Sequence, residues 1–423
     1  MRPCGRLVNA AAVSLSAVLA LAGCTVAGSR KVEPGTADRA HRVPGFSPFT
    51  ARQVDHREAM YPRLVRLRDG RIILSVATST GDGITDMARF YESADGGRTF
   101  RTLSEIRDPA AAQGRGSCCG SLFELPWPHG DQPAGTLLWA GTAGMKNHAP
   151  GRRPELRVWR SGDGGRHWSY LSSCATGAEG TPWNRGLWEP ELGIDRQGRL
   201  VCYYSDETRP GHDQVIAEAS STDGGATWSP ARVVVTGGRR DRPGMPVVRR
   251  LPDGAYLMVY EVCGPSAGCE VRFRRSADGW TWGDPAWRGT APRTDGGRSL
   301  YHAPTAAWVP GGGANGTVLL VGGLVRDSGG GLVQEASGAT ILTSARNGDG
   351  AWQEASAPVR VPFPADPEHP DIVCSNYSST LLPTSDGKGL LEVATQRDKD
   401  GTCRAYAAAV PLPLTATGPQ TRS

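Results

Sequence analysis

One short phrase recurs along the chain, Ser-x-Asp-x-Gly-x-Thr followed by an aromatic residue. Full copies read Ser93-Ala94-Asp95-Gly96-Gly97-Arg98-Thr99-Phe100, Ser161-Gly162-Asp163-Gly164-Gly165-Arg166-His167-Trp168 and Ser221-Thr222-Asp223-Gly224-Gly225-Ala226-Thr227-Trp228. Residues 276–282 hold a fourth copy, one residue shorter, and residues 344–352 a degraded fifth. The aromatic positions 100, 168, 228, 282 and 352 lie 68, 60, 54 and 70 residues apart. A turn phrase repeating at such intervals requires an array of similar supersecondary units.

The phrase has a mechanical reading. Ser and Asp side chains bond nearby backbone N–H groups and hold a tight turn. The glycines supply positive φ without a Cβ clash, and the aromatic side chain packs into the layer beneath. The phrase resembles the Asp box of sialidase-like β-propellers. Alternating apolar segments flank a second set of turns at Arg68-Asp69-Gly70, Arg196-Gln197-Gly198 and Pro252-Asp253-Gly254, with looser versions at 130–135, 311–316 and 385–389. Each such hairpin precedes an Asp box where one exists, and the flanking runs have strand periodicity. Six four-stranded units closed in a ring predict an all-β, six-bladed β-propeller. The sixth unit lacks an Asp box. Its last strand is expected either within 404–410 or from the N-terminal segment of the domain.

The first 24 residues read as a lipoprotein-type signal peptide to be set aside from the fold. Arg2 and Arg6 form its basic start, residues 10–21 its apolar stretch, and Leu21-Ala22-Gly23-Cys24 resembles a bacterial lipobox that would lipidate Cys24. That stretch is too short to span a bilayer comfortably. Residues 25–48 are rich in Gly, Pro, Arg and Ser and read as a flexible tether. The propeller is expected over 49–415, with 416–423 as a disordered tail. The expected setting is a bacterial surface lipoprotein or a secreted protein, with membrane contact only through Cys24. A formal charge of +5 with scattered basic residues argues against a nucleic-acid partner. No Cys/His spacing resembles a zinc site, so no metal or other cofactor is expected. Eight cysteines remain beyond Cys4 and Cys24. In an exported chain they favour disulfides, with Cys263–Cys269 and Cys374–Cys403 the first expected pairs. A monomer is expected.

In a propeller the innermost strand of each blade lines the axis. The start of that strand and the end of the next share one rim. Strand starts here carry Tyr61-Pro62-Arg63, Trp188-Glu189-Pro190, Arg242-Pro243-Gly244-Met245, Tyr301-His302-Ala303-Pro304 and Asn376-Tyr377; strand ends carry Ser205-Asp206-Glu207 and Tyr260-Glu261. Polar, charged and aromatic residues gathered on one rim mark a ligand site. Glu189 and Glu261 come from neighbouring units and are the candidate catalytic pair. A glycosidase needs one protonated acid for the leaving oxygen and one carboxylate for the anomeric carbon. Tyr61, Arg63, Trp188, Tyr301, His302 and Tyr377 are the candidate substrate-binding residues.

These segments, with Tyr203-Tyr204-Ser205-Asp206-Glu207, His212-Asp213-Gln214 and Arg242-Pro243-Gly244-Met245-Pro246, resemble the exo-α-1,5-L-arabinanases of glycoside hydrolase family 93 over residues 55–410. The resemblance implies a six-bladed propeller and a retaining mechanism with two glutamates, mapping onto Glu189 and Glu261. It also implies release of arabinobiose from the non-reducing end of linear arabinan. Glu189 is assigned as acid/base and Glu261 as nucleophile, although sequence order does not exclude the reverse. Two alternatives stand beside this reading, an exo-α-sialidase and a non-catalytic carbohydrate-binding propeller. Sialidases carry a Phe/Tyr-Arg-Ile-Pro motif, which Tyr61-Pro62-Arg63-Leu64 breaks. The loops at 108–117 and 179–186 are expected to close one end of the cleft and enforce exo action.

Overall fold

The computed structural model describes residues 46–78, 86–111, 117–145, 151–182, 184–265, 267–363 and 374–414. The expected signal peptide with Cys24, residues 25–45 of the expected tether and all of the expected tail lie outside the described residues. Within them the secondary structure is β throughout.

Six sheets form the blades, each read here from the axis outward. The first runs Met60–Arg66, Ile72–Ala77, Asp86–Ser93, Arg101–Arg107, and the second Ser117–Glu124, Leu137–Ala143, Glu155–Ser161, Ser169–Thr176. The third runs Leu187–Ile194, Leu200–Asp206, Val215–Ser221, Arg232–Val235. The fourth begins Arg242–Arg250, Tyr256–Cys263, Glu270–Ser276 and continues into an added hairpin, Ser299–Tyr301 with Leu324–Arg326. The fifth is Thr305–Val309, Thr317–Val321, Thr340–Ser344, Gln353–Ser356. The sixth is Thr380–Pro383, Gly389–Arg397, Cys403–Pro411, completed on the outside by Phe49–Gln53. Both expected candidates for that last blade are therefore used: 403–411 is its third strand and the N-terminal segment its fourth. Each innermost strand touches the next, and Thr380–Pro383 touches Met60–Arg66 to close the ring.

The second strands are buried along their length; Ile72–Ala77, Leu137–Ala143 and Leu200–Asp206 have no exposed position. Apolar clusters fill the wedges between blades. One joins Ile73, Phe90 and Ile106 of the first blade to Leu122, Leu137 and Trp139 of the second. The Asp boxes lock the outer hairpins from below. Gly225 N–H donates to Ser221 Oγ at 2.8 Å and Thr227 N–H to Asp223 Oδ1 at 2.9 Å. Trp228 donates its indole N–H to Gly225 O at 3.1 Å. The serine and aspartate bonds recur in the boxes at Ser93, Ser161 and Ser276, and the indole bond at Trp168. The fifth box keeps only the serine bond, from Gly348 N–H to Ser344 Oγ at 3.0 Å.

Four disulfides are formed: Cys118–Cys119, Cys174–Cys202, Cys263–Cys269 and Cys374–Cys403. The last two are the pairs expected from sequence. Cys374–Cys403, 29 residues apart, ties the start of the sixth blade to its third strand. By the chain-entropy argument a loop of that size contributes roughly 3–4 kcal/mol.

Candidate active site

Every innermost strand meets the pocket rim in the same strained way. A non-glycine residue with positive φ stands at or just before each strand start: Tyr61 (49°), Cys119 (55°), Glu189 (47°), Met245 (55°), Ala303 (47°) and Ser378 (57°). In three blades the ladder shows the cause. Tyr61-Pro62 fall between the pairs Met60↔Ala77 and Arg63↔Ser75, Glu189-Pro190 between Trp188↔Ser205 and Glu191↔Tyr203, and Met245-Pro246 between Gly244↔Glu261 and Val247↔Val259. Two residues there oppose one, which makes a β-bulge and re-aims a side chain. Proline suits the second position, because a bulge residue has no ladder bond to lose. A left-handed conformation at such a residue costs of order 1–3 kcal/mol and persists where the surroundings hold it. Tyr61, Cys119, Met245 and Ala303 pack into one cluster, flanked by Cys118 and Tyr377. Five blades thus contribute to a shared axial patch, and the third contributes Glu189.

The second strands add a complementary position. Ser205 faces the residue before the Glu189 bulge, and Glu261 faces the residue before the Met245 bulge. Each reaches forward to the bulge of the next blade. Met245 N–H donates to Ser205 Oγ at 3.0 Å, and Ala303 N–H donates to Glu261 Oε2 at 2.8 Å. Ser205 and Glu261 are the same structural position in adjacent blades, once neutral and once acidic.

The two glutamates have unlike surroundings. Glu189 is half-buried and accepts a 2.7 Å bond from Ser205 Oγ. Burial raises its pKa to about 7, reinforced by the charges of Glu261 and Glu207 and opposed by the Ser205 bond and Arg242. Glu261 is 7% exposed. Its Oε2 takes the Ala303 N–H and lies 3.1 Å from His302 Nδ1. These two contacts fix the orientation of the carboxyl group. Tyr377 feels both carboxylates; burial and their charges push its hydroxyl well above the usual tyrosine range.

Trp188 is held by Glu207, a rim carboxylate not among the expected substrate-binding residues. Glu207 accepts the indole N–H of Trp188 at 2.7 Å and the Gly186 N–H at 2.8 Å, and pairs with Arg242. Arg242 also donates to Gln214 Oε1 at 2.9 Å. A Cβ on Gly186 would lie 2.5 Å from the indole, so only glycine lets Trp188 lie against this backbone. Ser205, Glu207 and Arg242 were legible as rim residues. Aligning the units on their X-Pro dipeptides, Tyr61-Pro62, Glu189-Pro190, Met245-Pro246 and Ala303-Pro304, would have singled out Ser205 as the counterpart of Glu261.

The other expected residues divide. Tyr61, Tyr377 and His302 stand together: the Tyr61–Tyr377 ring centroids are 5.9 Å apart and the His302–Tyr377 centroids 5.5 Å. Arg63 is only 5% exposed and donates to Pro62 O at 2.8 Å, Ser378 O at 3.1 Å and Ser378 Oγ at 3.0 Å, with its Cζ 4.0 Å from the Tyr61 ring centroid. Both terminal nitrogens of its guanidinium are taken by protein acceptors beneath Tyr61, while the buried Nε has none. Tyr301 does not begin an innermost strand, as the sequence reading placed it. It lies in the added hairpin, paired with Glu270 and Leu324, with Arg326 5.3 Å over its ring. The innermost strand of the fifth blade begins four residues later, at Thr305. Of the two loops expected to close the cleft, residues 112–116 and 183 are outside the described set. Arg152 pins the second loop by donating to Pro182 O at 2.8 Å.

Glu261, Cys263, Cys269 and His302 bring four potential metal donors within 4.8 Å of one another. Cys263 and Cys269 are joined in a disulfide, so their sulfurs are not thiolate ligands. The remaining two donors are engaged with each other.

The fold, with paired carboxylates on the axial rim, defines a glycoside hydrolase built on a six-bladed β-propeller. No family sequence model matches the chain, and no curated protein is significantly similar to it in sequence. Solved structures are similar. An α-L-arabinanase of Penicillium chrysogenum, solved with arabinobiose, superposes with a TM-score of 0.72 at 25% identity, covering 87% of this chain and 100% of that one. The family 93 α-L-arabinofuranosidase of Fusarium graminearum, also solved with arabinobiose, gives 0.68 at 23% identity, covering 86% and 98%. The NanB sialidase of Streptococcus pneumoniae gives 0.58 at 11%, covering 88% and 71%, and shares the fold. The resemblance to glycoside hydrolase family 93 thus extends to three-dimensional structure.

Proposed function

We propose that this protein is a retaining, exo-acting hydrolase of linear α-1,5-L-arabinan that releases arabinobiose from the non-reducing end. The observation that carries this reading is the unlike pair on one rim. Glu189 has a pKa raised to about 7 by burial, and Glu261 is bonded by a backbone N–H and a histidine. A carboxyl group held protonated up to about neutral pH, with a second carboxyl group fixed by protein donors on the same rim, offers an acid and a nucleophile together. In this mechanism Glu261 attacks the anomeric carbon while Glu189 gives its proton to the departing glycosidic oxygen. The C–O bond breaks and a glycosyl–Glu261 ester forms. Glu189, now a carboxylate, takes a proton from water, whose oxygen attacks the anomeric carbon and displaces Glu261. His302 and Ala303 N–H hold the Glu261 carboxylate in place, and Trp188 and Tyr377 face the sugar. The arabinobiose complexes of the Penicillium and Fusarium enzymes support the choice of sugar. Export through residues 1–24 and lipid attachment at Cys24 belong to the same reading.

The test is incubation of the propeller with linear α-1,5-arabino-oligosaccharides and, in parallel, sialyl-lactose, with products read by mass and chromatography. Arabinobiose with retained anomeric configuration is the expected product. Free sialic acid, or a mixed ladder of arabino-oligosaccharides, would overturn the sugar assignment or the exo assignment respectively.

A further inference from the structure

The Cys118–Cys119 disulfide joins adjacent residues, and its position is unusual. Disulfides that stabilise a chain do so mainly by restricting the loop between their cysteines. Adjacent cysteines enclose no such loop, so this argument assigns the bond almost no stabilising role. The contrast is with Cys174–Cys202 and Cys374–Cys403, separated by 28 and 29 residues. The bond also sits at the rim. Cys118 pairs with Thr142 as Trp188 pairs with Ser205, so Cys119 holds the bulge position that Glu189 holds one blade further on. Cys119 is 1% exposed, while Cys118 is half-buried, as Trp188 is. Beneath the bulge, Trp139 lies so close that a Cβ on Gly120 would be 2.3 Å from its ring and one on Gly141 2.1 Å. The strand carrying the disulfide is seated on that indole and cannot recede.

We propose that the Cys118–Cys119 disulfide is a substrate contact, an apolar ledge against which the carbon face of the terminal furanose ring packs. This inference rests on the arabinan reading above and names a specificity element within the same pocket. The rim offers two chemistries side by side. Glu189, Glu261 and His302 supply polar groups, and Tyr61, Met245, Ala303 and Tyr377 form with the disulfide a continuous apolar cluster next to them. A disulfide has polarizable sulfurs and no hydrogen-bond donor. Hydroxyls of a sugar held here are directed to the polar groups, and the ring carbons to the sulfurs. The ring formed by two bonded neighbours removes side-chain freedom, so the ledge is preorganised.

The test compares wild type with the Cys118→Ala/Cys119→Ala double variant, using arabinotriose for turnover and arabinobiose for binding. The expected result is an increase of about tenfold in both KM and the arabinobiose Kd, the factor that a lost ~1.4 kcal/mol contact gives. Turnover number should change by less than about threefold, and Tm by no more than about 2 °C. Unchanged KM and Kd overturn the inference. So does a fall in Tm and kcat with KM unchanged, which marks a purely structural bond. A second measurement needs no variant: the disulfides of wild type are titrated with a trialkylphosphine, alkylated and quantified by mass spectrometry. Saturating arabinobiose should slow reduction of Cys118–Cys119 about tenfold relative to Cys374–Cys403. Equal slowing, or none, overturns the contact. Wild type that cleaves arabinotriose without these effects removes only the ledge. Wild type that neither binds arabinobiose nor cleaves arabinotriose removes the arabinan reading with it.

Discussion

The third and fourth blades are one device built twice, with the acidic residue in a different place each time. In the third blade the bulge carries Glu189 and the second strand carries Ser205. In the fourth, the bulge carries Met245 and the second strand Glu261. The backbone is the same in both, including the proline after the bulge and the forward bond to the next blade's N–H. The two carboxylates therefore approach the axis by different routes, one from a strained bulge and one from a regular ladder position. Their environments differ accordingly. Burial, together with the charges of Glu261 and Glu207, pushes Glu189 toward the neutral form against the hydroxyl bond from Ser205. Glu261 replaces a serine at a position whose geometry already aims at a backbone N–H. A repeat fold thus acquires chemistry by exchanging single residues at equivalent positions, without altering the frame.

The largest expected effect comes from removing each acid in turn. Glu189→Gln and Glu261→Gln should each lower kcat at least roughly 10³-fold, with melting behaviour close to wild type. An azide-rescued Glu261→Gly variant yielding an inverted product would confirm the nucleophile; rescue at Glu189 with inversion would exchange the two roles. Next in size is the strain shared by the bulges. Ala303→Val places a β-branched residue at φ 47° and should destabilise by about 1–3 kcal/mol in denaturant unfolding, whereas Ala303→Gly should not. Equal stability of the two variants would mean that the left-handed bulge stores little energy.

The pH profile sharpens the contrast between the glutamates. Glu189 must be protonated to act as the acid, and its pKa is raised to about 7. Activity is therefore expected to be held below pH 7 and to fall as pH rises through it. The Ser205 bond favours the charged form, so Ser205→Ala should move that limb upward. A limb that stays put, or moves down, would detach it from Glu189. The smallest effect belongs to the opposite rim. Asp223→Ala removes the bonds to Thr227 N–H and Oγ1 and should cost about 1 kcal/mol with kcat/KM unchanged.

Much of this architecture was legible in the sequence because turns are local. The Ser and Asp side chains of each box bond groups within four residues of themselves, so the phrase alone marks the hairpin. The placement of Glu189 and Glu261 on one rim was also legible, since both fall where strand polarity changes there. The contacts around them were less so. Ser205, Glu207 and Arg242 act across 16 to 40 residues, and nothing local in their surroundings says what they hold. Tyr301 misled because an inserted hairpin sits where a blade start was expected. Arg63 was expected to bind substrate, yet it donates to Ser378 atoms 315 positions away.

The closure of the sixth blade has a directional consequence. Innermost strands start at the pocket rim, so every fourth strand runs back toward that rim from the opposite face. Phe49–Gln53 is such a strand: Phe49 pairs with Ala409 and Gln53 with Tyr406, and the chain continues to Met60 at the rim. The polypeptide therefore enters the ring on the face that carries the Asp boxes.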